Sequence, residues 1–222
     1  MFDTPFSEAR RGLWIALYGP DGAGKSGVAE RLERELAPCF SAVRRHHLRA
    51  EFLGTRTAAT IVTQPHVQKP RGIFLSCAKL AYQLLHGWFS HLVMVMPRLA
   101  AGELVIFDRY FADYAIDPRR YRIPNRLSFW AAVLSRFAPR PHRQFVLDVP
   151  GIELQRRKRE VTPDESSRQR RAYIESLGRE PNTKIIDANR PISEVACDIR
   201  NEVLWLLEER AASSAEADIA RA

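Results

Sequence analysis

The segment Gly19-Pro20-Asp21-Gly22-Ala23-Gly24-Lys25-Ser26 constrains this chain more than any other, because it fits G-x-x-x-x-G-K-[ST] without a mismatch. Before it stands Leu13 to Tyr18, a continuous apolar run too short for an ordinary helix, which reads as a buried parallel strand. After it, Gly24 to Leu36 reads as a helix stopped by Pro38. A strand, a glycine loop and a helix in that order make a cradle for phosphate. Glycines let the backbone curl until several N–H groups point inward. The helix N-terminus adds partial positive charge. Lys25 is placed to reach the β- and γ-phosphates of a nucleotide, and the Ser26 hydroxyl to complete a Mg²⁺ shell.

Further strands are expected at Ala42 to Leu48, Leu104 to Phe107, Gln144 to Val149 and Lys184 to Ile186. Three of them end beside an acid: Asp108, Asp148 and Asp187. Ile73 to Ala100 reads as one long helix, bent at Gly87 and ending near Pro97, with Tyr82, Trp88 and Phe89 assigned to the core. Two charged helices follow at 152–160 and 164–177. In the last helix Ile192, Val195, Ala196, Ile199, Val203, Leu206 and Leu207 form one apolar stripe. Residues 211–222 read as a frayed tail. Alternating strands and helices predict an α/β fold, a P-loop NTPase three-layer sandwich with a central parallel sheet and a helical lid. One domain is expected over 1–210, its lid near 156–171. In such sheets ligands sit beyond the carboxyl ends of the strands.

Composition narrows the function. At 222 residues, 45% hydrophobic and 27% charged, the chain matches one folded domain. Its net charge of +8 points to nucleic acid, an anionic membrane surface or a polyanionic small molecule. Cys39, Cys77 and Cys197 are too scattered for a disulfide framework, so a reducing, cytoplasmic setting is expected. No signal peptide is visible, and Leu80 to Met96 is interrupted by Gln83, His86, Gly87 and His91, so a buried helix is expected there rather than a membrane span. The base-reading NKxD of GTPases and the LSGGQ-like signature of ABC ATPases are both absent. Small-molecule kinases of this fold have the right size.

Leu104-Val-Ile-Phe-Asp-Arg-Tyr110 places Asp108 at a strand tip, where a carboxylate can hold Mg²⁺ or position the attacking oxygen. Arg109 beside it offers a fork for a second phosphate. A structural Asp–Arg pair capping the strand is the competing reading. Four segments in order now resemble the thymidylate kinase-like branch of the nucleoside monophosphate kinases: Gly19 to Ser26, Pro97 to Tyr110 with its Asp-Arg-Tyr end, Phe145 to Pro150 running into Arg157, and Ile186 to Val195. The resemblance implies ATP as donor with Mg²⁺ held by Ser26 and Asp108. It implies that Gly19, Asp21, Gly22, Ala23, Gly24, Lys25, Ser26 and Gly27 form the nucleotide loop, with Asp21 against the acceptor's sugar. It gives Asp108 to Mg²⁺ or acceptor geometry, and Arg109 to the acceptor phosphate. Arg157 would lie against adenine, with the loop of Asn189 and Arg190 on its other side.

The loop carries Gly22 and Ala23 where an arginine could have stabilised the moving phosphoryl group. The resemblance assigns that arginine to the lid, and Arg159 and Arg168 are the candidates. The bland alternative is a solvated helical face with pairs such as Glu153 with Arg157. Asp113, Asp117, Arg119, Arg120 and Arg122 either line the acceptor pocket or form surface ion pairs. After the second strand the chain reads His46-His47-Leu48-Arg49-Ala50-Glu51-Phe52-Leu53-Gly54 where thymidylate kinases carry an R-E-P-G-G-T-like segment. The expected activity is therefore phosphoryl transfer from ATP to a small acceptor, dTMP first, with a sugar or other glycan precursor as the alternative. A nucleic-acid-binding or regulatory ATPase ranks below both, and a homodimer is a candidate assembly.

Overall fold

The strand expected before the glycine loop lies at the centre of the molecule. The computed structural model describes residues 12–47, 72–157 and 162–219. Strand β1 (Leu13–Tyr18) pairs in parallel with β3 (Leu104–Asp108) on one side and β4 (Arg143–Asp148) on the other. Beyond these lie β2 (Val43–His47) and β5 (Thr183–Asp187), so the five-stranded sheet runs β2-β3-β1-β4-β5 and is parallel throughout. The inner strands β1 and β3 are buried on both faces, which is why they read as unbroken apolar runs. The basic residues of β2 sit on an edge strand, where charge discourages pairing with another chain.

Alternation along β1 divides the core. Leu13, Ile15 and Leu17 face a cluster with Val28, Ala29, Leu32 and Leu36 of α1 (Lys25–Leu36) and Val195, Ile199 and Val203 of α8 (Ile192–Ile219). Trp14, Ala16 and Tyr18 face the second cluster, with Phe107, Tyr110, Phe111 and Tyr114. Burying each valine, leucine, isoleucine or phenylalanine among them is worth roughly 1.5–3 kcal/mol. The predicted stripe of α8 holds from Val195 onward, whereas Ile192 is half exposed and meets the loop side of α1 at Gly27. The tail expected from 211 is helical as far as Ile219, because Ala211, Ala212, Ala215 and Ala217 favour helix continuation.

The long helix differs most from expectation. It runs as α2 (Ile73–Ser90), a widened π-turn (His91–Val95) and α3 (Met96–Ala100). Pro97 does not end it. Pro97 has no N–H, and the turn before it opens so that the Met96 N–H reaches back five residues to the His91 carbonyl. Gly87 serves close approach rather than a bend, since a Cβ there would lie 2.6 Å from Cζ of Phe111. The helix is not buried all round either. Tyr82, Trp88 and Phe89, expected in the core, are largely exposed. Only one face meets the sheet, through Leu80 and Val95.

Shorter elements complete the fold: α4 (Asp113–Ile116), α5 (Ser128–Ser135), α6 (Gly151–Arg157) and α7 (Pro163–Leu177). Helix α7 begins with Thr162, whose hydroxyl accepts from the Glu165 N–H, and Pro163 fills the first helical position. Among the described residues no helix is long and apolar enough to cross a membrane.

Candidate functional site

The register of β1 on β3 sets Asp108 beside Leu17, two residues before the loop begins. The carboxyl ends of two central strands thus open into one cleft. It is lined by Asp21, Gly22, Gly24, Lys25, Ser26, Gly27, Asp108, Arg109, Arg120 and Arg157. Gly24 sits at the helix entrance with φ +87, a left-handed conformation that favours glycine. Gly19 lies at the loop's start and Ala23 is buried in the core, so these two shape the loop from behind.

Lys25 is 6% exposed, and its Nζ donates to the carbonyls of Gly19 at 2.7 Å and Pro20 at 2.8 Å. The loop holds its own lysine in place. Burial and the neighbouring Arg109 guanidinium lower Lys25 to about 8, against the opposing pull of Asp108, Asp21 and Asp113. Ser26 Oγ donates to Asp108 Oδ2 at 3.1 Å. A hydroxyl and a carboxylate side by side are hard oxygen donors, which suits Mg²⁺, an ion that takes few protein ligands and completes its shell with phosphate and water. No group of three His, Cys, Asp or Glu side chains among the described residues could cage a metal without such help.

Arg109 is 4% exposed and fully engaged. Its Nη1 lies 3.3 Å from both Asp113 Oδ1 and the Tyr173 hydroxyl, and its Nη2 donates to Asp21. Tyr173 in turn donates to Asp113, whose other oxygen accepts from the Tyr110 N–H at 3.1 Å. The backbone of Arg109 has φ +73, and holding a residue with a side chain there costs on the order of 1–3 kcal/mol. The buried network around the guanidinium offsets that cost. Burial raises the Asp113 carboxyl above its usual range despite Arg109. For Asp21 burial acts in the same direction, but Arg109, Lys25 and Arg120 outweigh it and hold the carboxyl well below that range.

The remaining candidates divide. Arg157 lines the cleft, and its Nη1 donates to the Ala188 carbonyl at 3.2 Å, which brings it beside the loop of Asn189 and Arg190. Its Nε also meets Glu153 at 3.1 Å, so the intrahelical pair is present too. Asn189 and Arg190 are not among the cleft-lining residues: the Asn189 N–H donates to Asp187, and Arg190 pairs with Asp198. Arg168 is held by Glu165 and donates to the Ile116 carbonyl at 3.0 Å, outside the cleft lining. Arg159 lies outside the described residues, as does the segment after His47 that departs from the thymidylate kinase pattern. At the end of β4, Asp148 is taken by the Arg170 fork, at 2.5 and 2.8 Å.

Two participants were poorly marked in the sequence. Arg120 stood in a run of arginines with nothing to separate it from its neighbours. Tyr173 did leave a signal: Ser166, Gln169, Tyr173 and Leu177 recur at helical spacing and are the buried face of α7.

No protein-family model matches the chain. Curated relatives do. The chain is 31% identical over 204 residues to the thymidylate kinase of Deinococcus radiodurans, an alignment covering 85% of this chain and 95% of that protein. It is 30% identical over 217 residues to the probable thymidylate kinase 2 of Saccharolobus solfataricus, covering 86% and 94%. To the thymidylate kinase of Leifsonia xyli subsp. xyli it is 31% identical over 210 residues, covering 86% and 94%.

Proposed function

The chain belongs to the thymidylate kinase family, and on that premise we propose that it transfers the γ-phosphoryl group of ATP to the phosphate of dTMP. The observation that carries the reading is the convergence of Lys25, the Ser26–Asp108 pair and Arg109 in one cleft. Lys25 would neutralise charge on the β- and γ-phosphates. Arg109 would hold the acceptor phosphate in line. Ser26 and Asp108 would hold Mg²⁺, which would draw charge from the phosphates when bound. An acceptor phosphate oxygen attacks the γ-phosphorus, and the bond to the bridging oxygen of ADP breaks. Positioning and charge stabilisation account for the rate in such a reaction.

None of the relatives named above favours a glycan precursor as acceptor. The test is an acceptor panel under ATP turnover. Release of ADP stimulated by dTMP supports the reading, and stimulation by a sugar without dTMP activity overturns it. We assign the excess positive charge to nucleotide phosphates rather than nucleic acid, and the enzyme to the cytoplasm. Its three cysteines form no disulfide, which is compatible with a reducing compartment.

We further propose a homodimer built on the outer face of the long helix. Leu85, Phe89, Leu92 and Met96 recur at three- and four-residue spacing and are 72%, 63%, 60% and 49% exposed, and Phe74, near the start of the helix, is 85% exposed. From Ile73 to Ala100 the only Lys, Arg, Asp or Glu residues are Lys79 and Arg98. An uncharged stripe of this kind complements a copy of itself across a two-fold axis better than a charged partner. Light scattering should give twice the chain mass, and Leu85→Glu with Phe89→Glu should return it to the monomer. A wild-type monomer at micromolar concentration would rule out the assembly.

A further inference from the structure

Asp21 bridges two arginines. One carboxylate oxygen accepts from Arg109 Nη2 and the other from Arg120 Nη1. Arg109 arrives from the end of β3. Arg120 arrives from a separate element, the tight turn Pro118–Tyr121. Two guanidinium groups from different parts of the fold therefore converge on one small anion, beside Lys25 and Asp108.

The turn that delivers Arg120 is tied to its surroundings on several sides. Its N–H donates to Asp117 Oδ1 at 3.3 Å, a cap at the start of the turn. Tyr121 and Ile123 beside it are 4% and 0% exposed, and the Tyr121 ring packs 4.5 Å from that of Tyr114. The Tyr121 carbonyl accepts from Lys79 Nζ at 2.6 Å. An arginine on a fixed turn is preorganised for an anion in a way that one on a solvated helix is not.

Charge in the cleft points the same way. Its lining carries four cations, Lys25, Arg109, Arg120 and Arg157, against the carboxylates of Asp21 and Asp108. Asp21 pairs with two of the four at once, leaving a net positive charge on the pair of arginines. A bridging carboxylate and a phosphate present similar pairs of oxygens to a guanidinium fork.

We propose that Arg109 and Arg120 form a two-armed clamp for the phosphate of the acceptor, and that Asp21 occupies the clamp until that phosphate replaces it. Arg120 is then a phosphate-binding residue. Asp21, once displaced, is released toward the remainder of the acceptor. The inference rests on the kinase reading above and deepens it, because a clamp of this kind selects an acceptor that already bears a phosphate over a neutral sugar.

Two titrations of the full chain test it, both with Mg²⁺ and a non-hydrolysable ATP analogue filling the loop. In the first, dTMP and thymidine are compared by calorimetry. The wild type should prefer dTMP. Arg120→Ala should cut that preference by about tenfold or more, with thymidine affinity unchanged, and Arg120→Lys should restore part of it. An undiminished preference overturns the clamp, and so does an equal loss of both ligands, which would make Arg120 structural. In the second, inorganic phosphate is the probe, followed by ³¹P NMR. Arg120→Ala should weaken it by a similar factor, and unchanged phosphate affinity again overturns the clamp. Should the wild type bind neither dTMP nor thymidine while Arg120→Ala still loses phosphate, the dTMP reading falls and the clamp stands.

Discussion

Replacing Lys25 with Met is expected to lower turnover by about 10²–10³-fold, the scale on which a single preorganised donor to transition-state charge acts. Met keeps most of the length of the side chain and removes the charge. The fold should survive, because the strand and helix that carry the loop are anchored by the core around Leu17, Val28 and Leu32. Single-turnover chemistry with dTMP checks the expectation, and a variant within tenfold of wild type would remove Lys25 from the mechanism. The pH dependence follows from the same group. Burial and Arg109 bring Lys25 down to about 8 in the free protein. Below that pH the ammonium is present, and above it the neutral amine takes over. The kcat/KM for ATP, which reports the free enzyme, should therefore fall as pH rises through about 8. Bound phosphates favour the charged form, so kcat should hold to higher pH. Lys25→Arg should extend the alkaline limb of kcat/KM even where its kcat is poor.

Asp108→Asn should act on the metal. The carboxylate shares its site with the Ser26 hydroxyl, and amide replacement keeps the shape while removing the charge. The Mg²⁺ concentration for half-maximal turnover should rise by about 10–100-fold, the usual scale for disturbing a metal's supporting groups. Binding of Mn²⁺ to the complex with the ATP analogue, followed by EPR, should weaken in parallel. If kcat fell with no change in either metal titration, Asp108 would be acting on the acceptor instead. The two roles inferred from the resemblance are thereby separated by one variant.

What could be read in advance was set by local chemistry. The loop from Gly19 to Ser26 declares itself because backbone curvature and phosphate contact restrict almost every position. All five strands were visible, since a parallel sheet buried on both faces leaves continuous apolar runs and its edges leave polar ones. The outer face of the long helix is not legible in the sequence for a related reason. An apolar helix packed in a core and one awaiting a partner share a composition, and only tertiary contact tells Leu80 from Leu85. The meeting of Asp21 with Arg109 and Arg120 was equally hidden. Asp21 reaches them across separations of 88 and 99 residues, and spacing along the chain carries no trace of that. Arg168 shows the reverse case, a charged residue in a plausible segment whose nearest acid, Glu165, claims it.

The widened turn at His91–Val95 also sets a phase. A π-turn takes one residue more than a regular turn to gain the same height, and one residue of α-helix is about 100° of rotation. Everything from Ile73 to Ser90 is therefore displaced around the axis relative to a helix that continues regularly into the sheet. A relative without that extra residue would present an identical side-chain pattern on a different face. Counting positions along this helix from Asp108 backward would then pair outward residues of one protein with inward residues of the other. Correspondence between positions on two such helices has to be judged by direction from the axis, with the inserted residue counted, and not by offset in sequence.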